Sequence, residues 1–253
     1  MEQRFTGRTV VVTGASSGIG DGIARRFAAE GANLVLAARR EDRLAALAAE
    51  LGADRALAVT TDVTSADDVQ AMIDAGAARF GGIDVLVSNA GVGLGKEFEE
   101  TTSADWRLIM STDVDSCFFG AQAALPYLKG SRGSIVQIAS ASGLGGDRRR
   151  TAYNAAKGAV VNFTRGLAFD LGRFGIRVNT AAPALTLGEE LAPTYADLIE
   201  RFDQRRALTG FSTPADVAAA VGFLASDDAR FITGTILPVD GGITAGSGQP
   251  SLY

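Results

Sequence analysis

Three residues in the second half of the chain, Ser140, Tyr153 and Lys157, have side chains that together could move a proton without a histidine. Ser140 ends an apolar run typical of a buried strand, while Tyr153 and Lys157 share one face of a predicted helix. A tyrosine normally keeps its proton until about pH 10, and lowering that pKa by roughly three units takes about 4 kcal/mol. A nearby ammonium in a desolvated cleft favours the phenolate. The set therefore predicts acid–base chemistry near neutral pH, with Ser140 binding the same substrate oxygen.

The tyrosine–lysine spacing is weak evidence alone, because a surface helix often acquires an amphipathic tyrosine and a solvated lysine. A glycine-rich turn near the amino terminus, between a β-branched run and a helical pattern, supports a functional interpretation. Such a turn lets the backbone approach a diphosphate and directs free N–H groups at it, although a plain tight turn is the alternative and the Gly-x3-Gly-x-Gly spacing differs from the best-known fingerprint. The predicted cofactor-binding residues here are Gly14, Ser16, Ser17, Gly18, Ile19 and Gly20.

The residues after the second predicted strand, 33–38, indicate which nucleotide is bound. In a doubly wound sheet an acidic residue at this strand end selects NAD, and an arginine accommodates the 2′-phosphate of NADP. Ala38 stands where the acid is expected, and Arg39 follows it. We therefore expect NADP(H) to be preferred over NAD(H), with Arg39 on the phosphate. The alternative is that Arg39 and Arg40 are solvated at the start of the helix at 41–51.

Strand-like runs alternate with helical ones along the whole chain. This rhythm predicts repeated βαβ units, and hence a Rossmann-like, doubly wound α/β fold whose mostly parallel seven-stranded sheet has helices on both faces. No low-complexity linker interrupts it, so residues 1–253 are predicted to form a single dinucleotide-binding catalytic domain. The predicted strands are 8–13, 33–38, 56–61, 83–87, 132–139, 175–180 and 234–239.

With its glycine-rich turn and its Ser140, Tyr153 and Lys157 set in this order, the chain resembles the short-chain dehydrogenase/reductase family over essentially its whole length. The resemblance implies that Tyr153 is the general acid/base, that Ser140 orients the substrate carbonyl, and that Lys157 binds the nicotinamide ribose and lowers the tyrosine pKa. Asp62 and Val63 match the pair that contacts adenine. Further residues matching cofactor contacts are Asn89, Ala90, Gly91 and Pro183, and Gly241 and Gly242 match the family's ending after the last strand.

Two departures from the family's pattern fall near the expected site. Asp113, seven residues after Trp106, stands where members usually carry an asparagine that holds a water in a proton relay. It either holds the same water and pairs with Lys157, or marks a weakened catalyst. Ala184 replaces a glycine before the substrate loop, and Gly188 stands where a threonine often contacts the cofactor amide, with Thr186 two residues earlier.

The longest interruption of the strand–helix rhythm, about 184–213, is predicted to be a mobile substrate lid over the carboxyl ends of the strands; an ordinary surface helical pair is the alternative. Its apolar residues suggest a partly apolar pocket for a ketone or alcohol. Arg148, Arg149 and Arg150 either draw an acidic substrate to the cleft or form a solvated loop. The candidate substrate residues are Ser142, Val92, Leu94, Leu185, Leu187, Leu191 and Tyr195.

Composition excludes several function classes. The net charge of −5 argues against a nucleic-acid partner. The absence of histidine excludes a Ser-His-Asp triad and histidine-ligated metals, and no metal is expected. The single Cys117 cannot form an internal disulfide. Without an apolar signal segment or membrane span, a cytoplasmic protein acting on a small molecule is expected.

These observations favour an NADP(H)-dependent oxidoreductase, or carbonyl reductase, that interconverts a ketone and a secondary alcohol. The alternative, suggested by Asp113, is a nucleotide-binding sensor or scaffold with weak or no turnover, and a third possibility is dehydration or epimerisation on the same fold. The helices near 103–128 and 151–173 are long, and the resemblance implies that they pair between subunits, as they commonly do in family members; we therefore expect a homotetramer.

Overall fold

The chain folds around a single parallel sheet. The structure, a computed structural model, describes residues 3–247 and 249. The domain predicted for 1–253 therefore includes a few terminal residues outside the described ones. The strand order is β3-β2-β1-β4-β5-β6-β7, and every neighbouring pair is parallel. The strands are β1 (Thr9–Thr13), β2 (Asn33–Ala38), β3 (Ala56–Thr60), β4 (Val85–Ser88), β5 (Ser134–Ile138), β6 (Arg177–Pro183) and β7 (Ile236–Val239).

Helices cover both faces of the sheet, as expected for a parallel sheet built from βαβ units. One face packs against α1, α2 and α8, and the other against α3, α5 and α6. The helices are α1 (Gly18–Ala29), α2 (Glu41–Leu51), α3 (Ala66–Phe80), α4 (Ser103–Met110), α5 (Ser116–Ser131), α6 (Thr151–Gly172), α7 (Ala196–Asp203) and α8 (Pro214–Ala225), and a π-helical turn (Ser111–Asp115) joins α4 to α5.

β1 shows why the central strands read as continuous apolar runs. All five of its residues are buried, because side chains alternate between the two covered faces. Val10 and Val12 enter the core beneath α1 and α8, and Val11 enters the core beneath α3 and α5. β1 lies between β2 and β4, so the chain leaves β1 and β4 in opposite directions, and a crevice opens at their carboxyl ends.

The doubly wound, seven-stranded fold predicted from the sequence is confirmed. The main difference in strand bounds is at β6, which was predicted to end at 180 but continues to Pro183, because Ala181, Ala182 and Pro183 still pair with β7. Within the described residues, none of the helices combines the length and apolar character needed to cross a bilayer.

Candidate active site

The glycine-rich turn between β1 and α1 forms the floor of a cavity of about 620 Å³ at the crevice of the sheet. Gly14 has a φ of 68°, which L side chains rarely adopt. A Cβ on Gly20 would lie 2.3 Å from the Gly14 carbonyl oxygen, so the turn and the start of α1 can pack this closely only with glycine. The free N–H groups at the start of α1 suit a diphosphate, and the cavity therefore fits a dinucleotide.

Asn89, after β4, fixes the glycine turn from the other side of the crevice. Its Nδ2 donates to the Thr13 carbonyl at 2.8 Å, and its own N–H donates to the Thr13 hydroxyl at 3.0 Å. The N–H of Ala90 donates to the same hydroxyl at 3.1 Å. Asn89, Ala90 and Gly91 also line the cavity. These residues join the carboxyl ends of β1 and β4 around the nucleotide site.

The far end of the cavity carries two arginines and an aspartate. Arg39, Arg40, Asp62 and Val63 all line it. Arg40 reaches the glycine turn, because its guanidinium donates to the hydroxyls of Ser16 at 2.9 Å and of Ser17 at 2.6 Å. The N–H and hydroxyl of Thr64 donate to Asp62 and, with the nearby Arg39, lower the pKa of its carboxyl. Cationic and hydroxyl donors therefore surround this end.

The predicted catalytic residues come together in an adjoining cavity of about 180 Å³, lined by Ser140, Tyr153 and Lys157. Ser140 follows β5, and the other two lie on the first turns of α6. Nζ of Lys157 lies 5.7 Å from the ring centroid of Tyr153. The two cavities share residues of the glycine turn and the β4 loop: Ile19, Asn89, Gly91 and Val92. A bound dinucleotide would therefore extend directly toward Tyr153.

Lys157 is held in a buried, strongly polar environment. It is 4% exposed, and Nζ donates to the Ile138 carbonyl at 3.0 Å and lies 3.0 Å from Oδ2 of Asp113. Burial disfavours its charge, but the Asp113 carboxylate and Tyr153 outweigh that penalty and raise the pKa of Lys157 above its ordinary value. Asp113 thus contacts the lysine directly.

The loop after β5 is fixed by hydrogen bonds of its two serine side chains. The Ser140 hydroxyl donates to the Pro183 carbonyl at 3.3 Å and accepts from the Ser142 N–H at 3.2 Å. The Ser142 hydroxyl donates to Asp147. Pro183 lines the catalytic cavity, whereas Ser142 is buried and is not among its lining residues. Ser140 is thereby held at the cavity wall.

The segment at 184–213 adjoins a third cavity, of about 500 Å³, between Leu185 and the turn after β7. The N–H groups of Ala207 and Leu208 donate to the Gly241 carbonyl at 2.8 and 2.9 Å. Of the remaining candidate substrate residues, Val92 lines the catalytic cavity. Leu94 packs on the small core around Ile109, Leu187 is half-buried, and Leu191 and Tyr195 are exposed.

Several residues that line the nucleotide cavity were not among the predicted cofactor contacts, Arg40 and Thr186 among them. Phosphate binding was predicted for Arg39, yet it is the Arg40 guanidinium that hydrogen-bonds the glycine turn. Thr186 also lines the cavity, and its hydroxyl lies 2.8 Å from that of Ser212. The sequence offered one indication of this role, since Thr186 lies only two residues before the position at which the family's threonine is expected.

The chain matches known proteins over nearly its full length. Residues 14–244 match the family model described as enoyl-(acyl carrier protein) reductase. Meso-2,3-butanediol dehydrogenase of Serratia marcescens is 45% identical, over 98% of this chain and 99% of that protein. Cis-4-hydroxycyclohexanecarboxylate dehydrogenase of Sinomonas cyclohexanicum is 40% identical, over 97% and 100%.

A solved structure has the same fold. A short-chain dehydrogenase/reductase from Brucella melitensis, described as a glucose/ribitol dehydrogenase, superposes with a TM-score of 0.91 at 37% identity, over 96% of this chain and 99% of that one. Identity at this level over whole chains goes beyond a shared fold. The chain belongs to the short-chain dehydrogenase/reductase family and is an NAD(P)-dependent oxidoreductase that interconverts CH–OH and carbonyl groups.

Proposed function

We propose that this protein is an NADP(H)-dependent oxidoreductase that interconverts a secondary alcohol and a ketone, with Tyr153 as general acid/base. The observation that carries the proposal is the shared cavity of Ser140, Tyr153 and Lys157, which opens beside the nucleotide cavity. Proton transfer needs the acid/base group within hydrogen-bonding reach of the reacting oxygen. An oxygen bound between Ser140 and Tyr153 would meet that requirement.

Each catalytic side chain has a separate role in this proposal. In alcohol oxidation Tyr153, as phenolate, takes the hydroxyl proton, and in ketone reduction the phenol returns it. The Ser140 hydroxyl hydrogen-bonds the same substrate oxygen and fixes its position. The Lys157 ammonium favours the phenolate and offers a donor to the nicotinamide ribose. When bound, the nicotinamide ring accepts or supplies the hydride.

The preference for NADP(H) rests on the charges at the far end of the nucleotide cavity. β2 ends at Ala38, which offers no carboxylate to bind the ribose hydroxyls of NAD. Arg39 and Arg40 follow at the cavity wall, and Arg40 is already oriented by Ser16 and Ser17. Guanidinium and hydroxyl donors bind a phosphate strongly. A 2′-phosphate would therefore meet donors from the segment after β2 and from the glycine turn.

The substrate is proposed to be a small or medium-sized secondary alcohol. The similar proteins named above act on a butanediol and on a hydroxycyclohexanecarboxylate, as their names state. The catalytic cavity is bordered by Val92 and Ala184. We further propose that the segment at 184–213 acts as the substrate lid, hinged where Thr186 pairs with Ser212.

The proposed assembly is a homotetramer in the reducing cytoplasm. Phe118 on α5 and Phe169 on α6 are 48% and 91% exposed, and large apolar side chains on a helix surface favour burial between subunits. Cys117, the single cysteine, is buried and free, consistent with a compartment that does not require disulfides.

The proposal is tested by following the absorbance of the reduced cofactor with a panel of secondary alcohols and ketones. We expect turnover with NADP(H) at a kcat/KM at least about tenfold above that with NAD(H). Tyr153→Phe should lose nearly all turnover, because the acid/base group is removed, while NADPH binding followed by fluorescence stays within about threefold. Near-normal turnover of Tyr153→Phe would refute the mechanism, and equal use of NAD(H) would refute the cofactor assignment.

A further inference from the structure

The ion pair between Asp113 and Lys157 is a feature of the catalytic cavity that the proposed chemistry does not by itself require. The side chains are 0% and 5% exposed, with Oδ2 of Asp113 and Nζ of Lys157 3.0 Å apart. Burying two charges carries a desolvation penalty that only close pairing and further hydrogen bonds offset. The pair costs desolvation energy, so we ask what it does for the groups beside it, which are Tyr153 and the loop after β4.

The backbone is shaped to deliver this carboxylate. Asp113 lies in the middle of the π-helical turn Ser111–Asp115, a rare conformation that recurs at functional sites. Side chains of the next turn contact the backbone carbonyls of this turn. The Ser116 hydroxyl donates to the backbone carbonyl of Thr112 at 2.6 Å, and Sγ of Cys117 lies 3.3 Å from the backbone carbonyl oxygen of Asp113. The turn places Asp113 against α6.

The two carboxylate oxygens of Asp113 have different partners: Oδ1 accepts a hydrogen bond, whereas Oδ2 forms the ion pair with Lys157 and accepts no hydrogen bond within the described residues. Oδ1 accepts from the Val92 N–H at 2.8 Å, which fixes the side-chain rotation, and Oδ2 then faces Lys157. An asparagine held by the same Val92 bond would turn its NH₂ group toward the ammonium, so that two donors would face each other. A Cβ on Gly91 would lie 3.1 Å from Oδ2 and 3.3 Å from Nζ. The pair is therefore packed closely beneath the loop after β4.

The negative charge of Asp113 weakens the electrostatic field that the Lys157 ammonium exerts on the Tyr153 hydroxyl. A lone ammonium beside a phenol favours the phenolate, but a carboxylate on that ammonium cancels much of its field. The other titratable groups around the pair are Cys117, whose pKa burial raises to about 11, and Arg150, whose guanidinium carbon lies 5.3 Å from the Tyr153 ring centroid. Asp147 is in the loop before α6 and bonds Ser142. None of these neutralises Lys157 as Asp113 does.

We infer that Asp113 is a positioning residue that neutralises the field of Lys157 and thereby sets the pH at which Tyr153 exchanges its proton above the value that an uncharged residue at this position would give. This inference rests on the proposed role of Tyr153 as general acid/base. It assigns the carboxylate two tasks: it holds the β4 loop through Val92, and it tunes the tyrosine through the lysine.

The test is the pH profile of kcat/KM for alcohol oxidation by the full-length protein. In Asp113→Asn the rising limb of this profile should move toward lower pH by about one unit, because the Lys157 ammonium, no longer paired with a carboxylate, favours the Tyr153 phenolate. Asp113→Ser removes the same charge with a smaller side chain and should shift in the same direction, which keeps the test decisive if the asparagine variant folds poorly. Asp115→Asn is the matched control, because Asp115 ends the same turn but is exposed; its profile should match the unmodified protein.

The outcomes separate this inference from the proposed function. If Tyr153→Phe is inactive and both charge-removing variants at 113 keep the unmodified profile, the inference about Asp113 is wrong and the proposed function stands. A limb that moves toward alkali in both variants would also overturn the inference. Substantial turnover by Tyr153→Phe would overturn both. NADPH affinity within about threefold of the unmodified protein shows that the variants keep a folded nucleotide site.

Discussion

Arg40 and Arg39 give the nucleotide cavity two guanidinium groups, and within the described residues only that of Arg40 has hydroxyl partners. A guanidinium that is prepositioned over the glycine turn loses little freedom when it binds a phosphate. Arg39 has a different electrostatic neighbour, Asp62, whose pKa it helps to lower. In the proposed NADP(H) site, the two arginines would therefore approach the 2′-phosphate from different sides.

At the residue scale, we predict that Arg40→Ser raises the KM for NADP⁺ by about tenfold or more, because a charge-assisted hydrogen bond contributes about 1.5–3 kcal/mol. The KM for NAD⁺, which lacks the 2′-phosphate, should change little. Steady-state kinetics with both cofactors measure the difference. Arg43→Ser on the exposed surface of α2 is the control, and an equal effect of Arg40→Ser on both cofactors would contradict the assignment.

At the scale of elements, the end of α1 is tied to the amino-terminal segment through Glu30. This carboxylate is 1% exposed and is bonded by Arg4, at 2.6 Å from Nε, and by Arg26. Arg4 also reaches Asp228, beyond α8, at 3.1 Å. Burial would raise the pKa of Glu30, but the two arginines outweigh it and hold that pKa below its ordinary value. The pairing therefore joins α1, α8 and the first residues of the chain.

We predict that Glu30→Gln lowers the free energy of unfolding by about 3 kcal/mol at pH 7, because two arginines lose a buried partner. A carboxyl with a lowered folded-state pKa stabilises the protein above its unfolded pKa of about 4.3, and this contribution is lost as the pH falls through the folded value. The difference between the two proteins should therefore shrink below about pH 4 in urea unfolding.

Glu50→Gln is the control, since it breaks the exposed Arg25–Glu50 pair at the surface of α2 and should have a much smaller effect. A difference between Glu30→Gln and the unmodified protein that stays constant from pH 7 to pH 3 would show that ionisation of Glu30 does not contribute.

At the scale of the whole molecule, large aromatic side chains lie exposed on two helices that cover the same face of the sheet. Phe118 belongs to α5 and Phe169 to α6. Phe231, before β7, is 98% exposed at another part of the surface. A tetramer with two kinds of contact would cover both regions.

We predict a sedimentation mass of four times the 26.1 kDa chain at micromolar concentration. Phe169→Glu should produce smaller species, because a carboxylate in an apolar interface is left unpaired. Phe98→Glu is the control, since Phe98 is 72% exposed but lies outside those helices. A monomeric unmodified protein, or an unchanged mass for Phe169→Glu, would contradict this arrangement.

The parts of the site that depend on local order were predictable from the sequence. The glycine turn must follow β1 and precede α1, and Tyr153 and Lys157 must share a helix face, because backbone geometry fixes both over a few residues. The alternation of strands and helices likewise implies a parallel sheet, and parallel strands gather their carboxyl ends along one edge. The fold and the grouping of Ser140 with Tyr153 follow from these rules.

Other features were decided only by the tertiary structure. Whether Arg39 or Arg40 reaches the glycine turn depends on how α2 leaves the sheet, which a pair of neighbouring arginines does not reveal. The direct contact of Asp113 with Lys157 depends on a π-helical turn and on the packing of that turn against α6. Residues 113 and 157 are distant in the chain, and ångström-level differences in packing decide whether an ion pair or a water joins them.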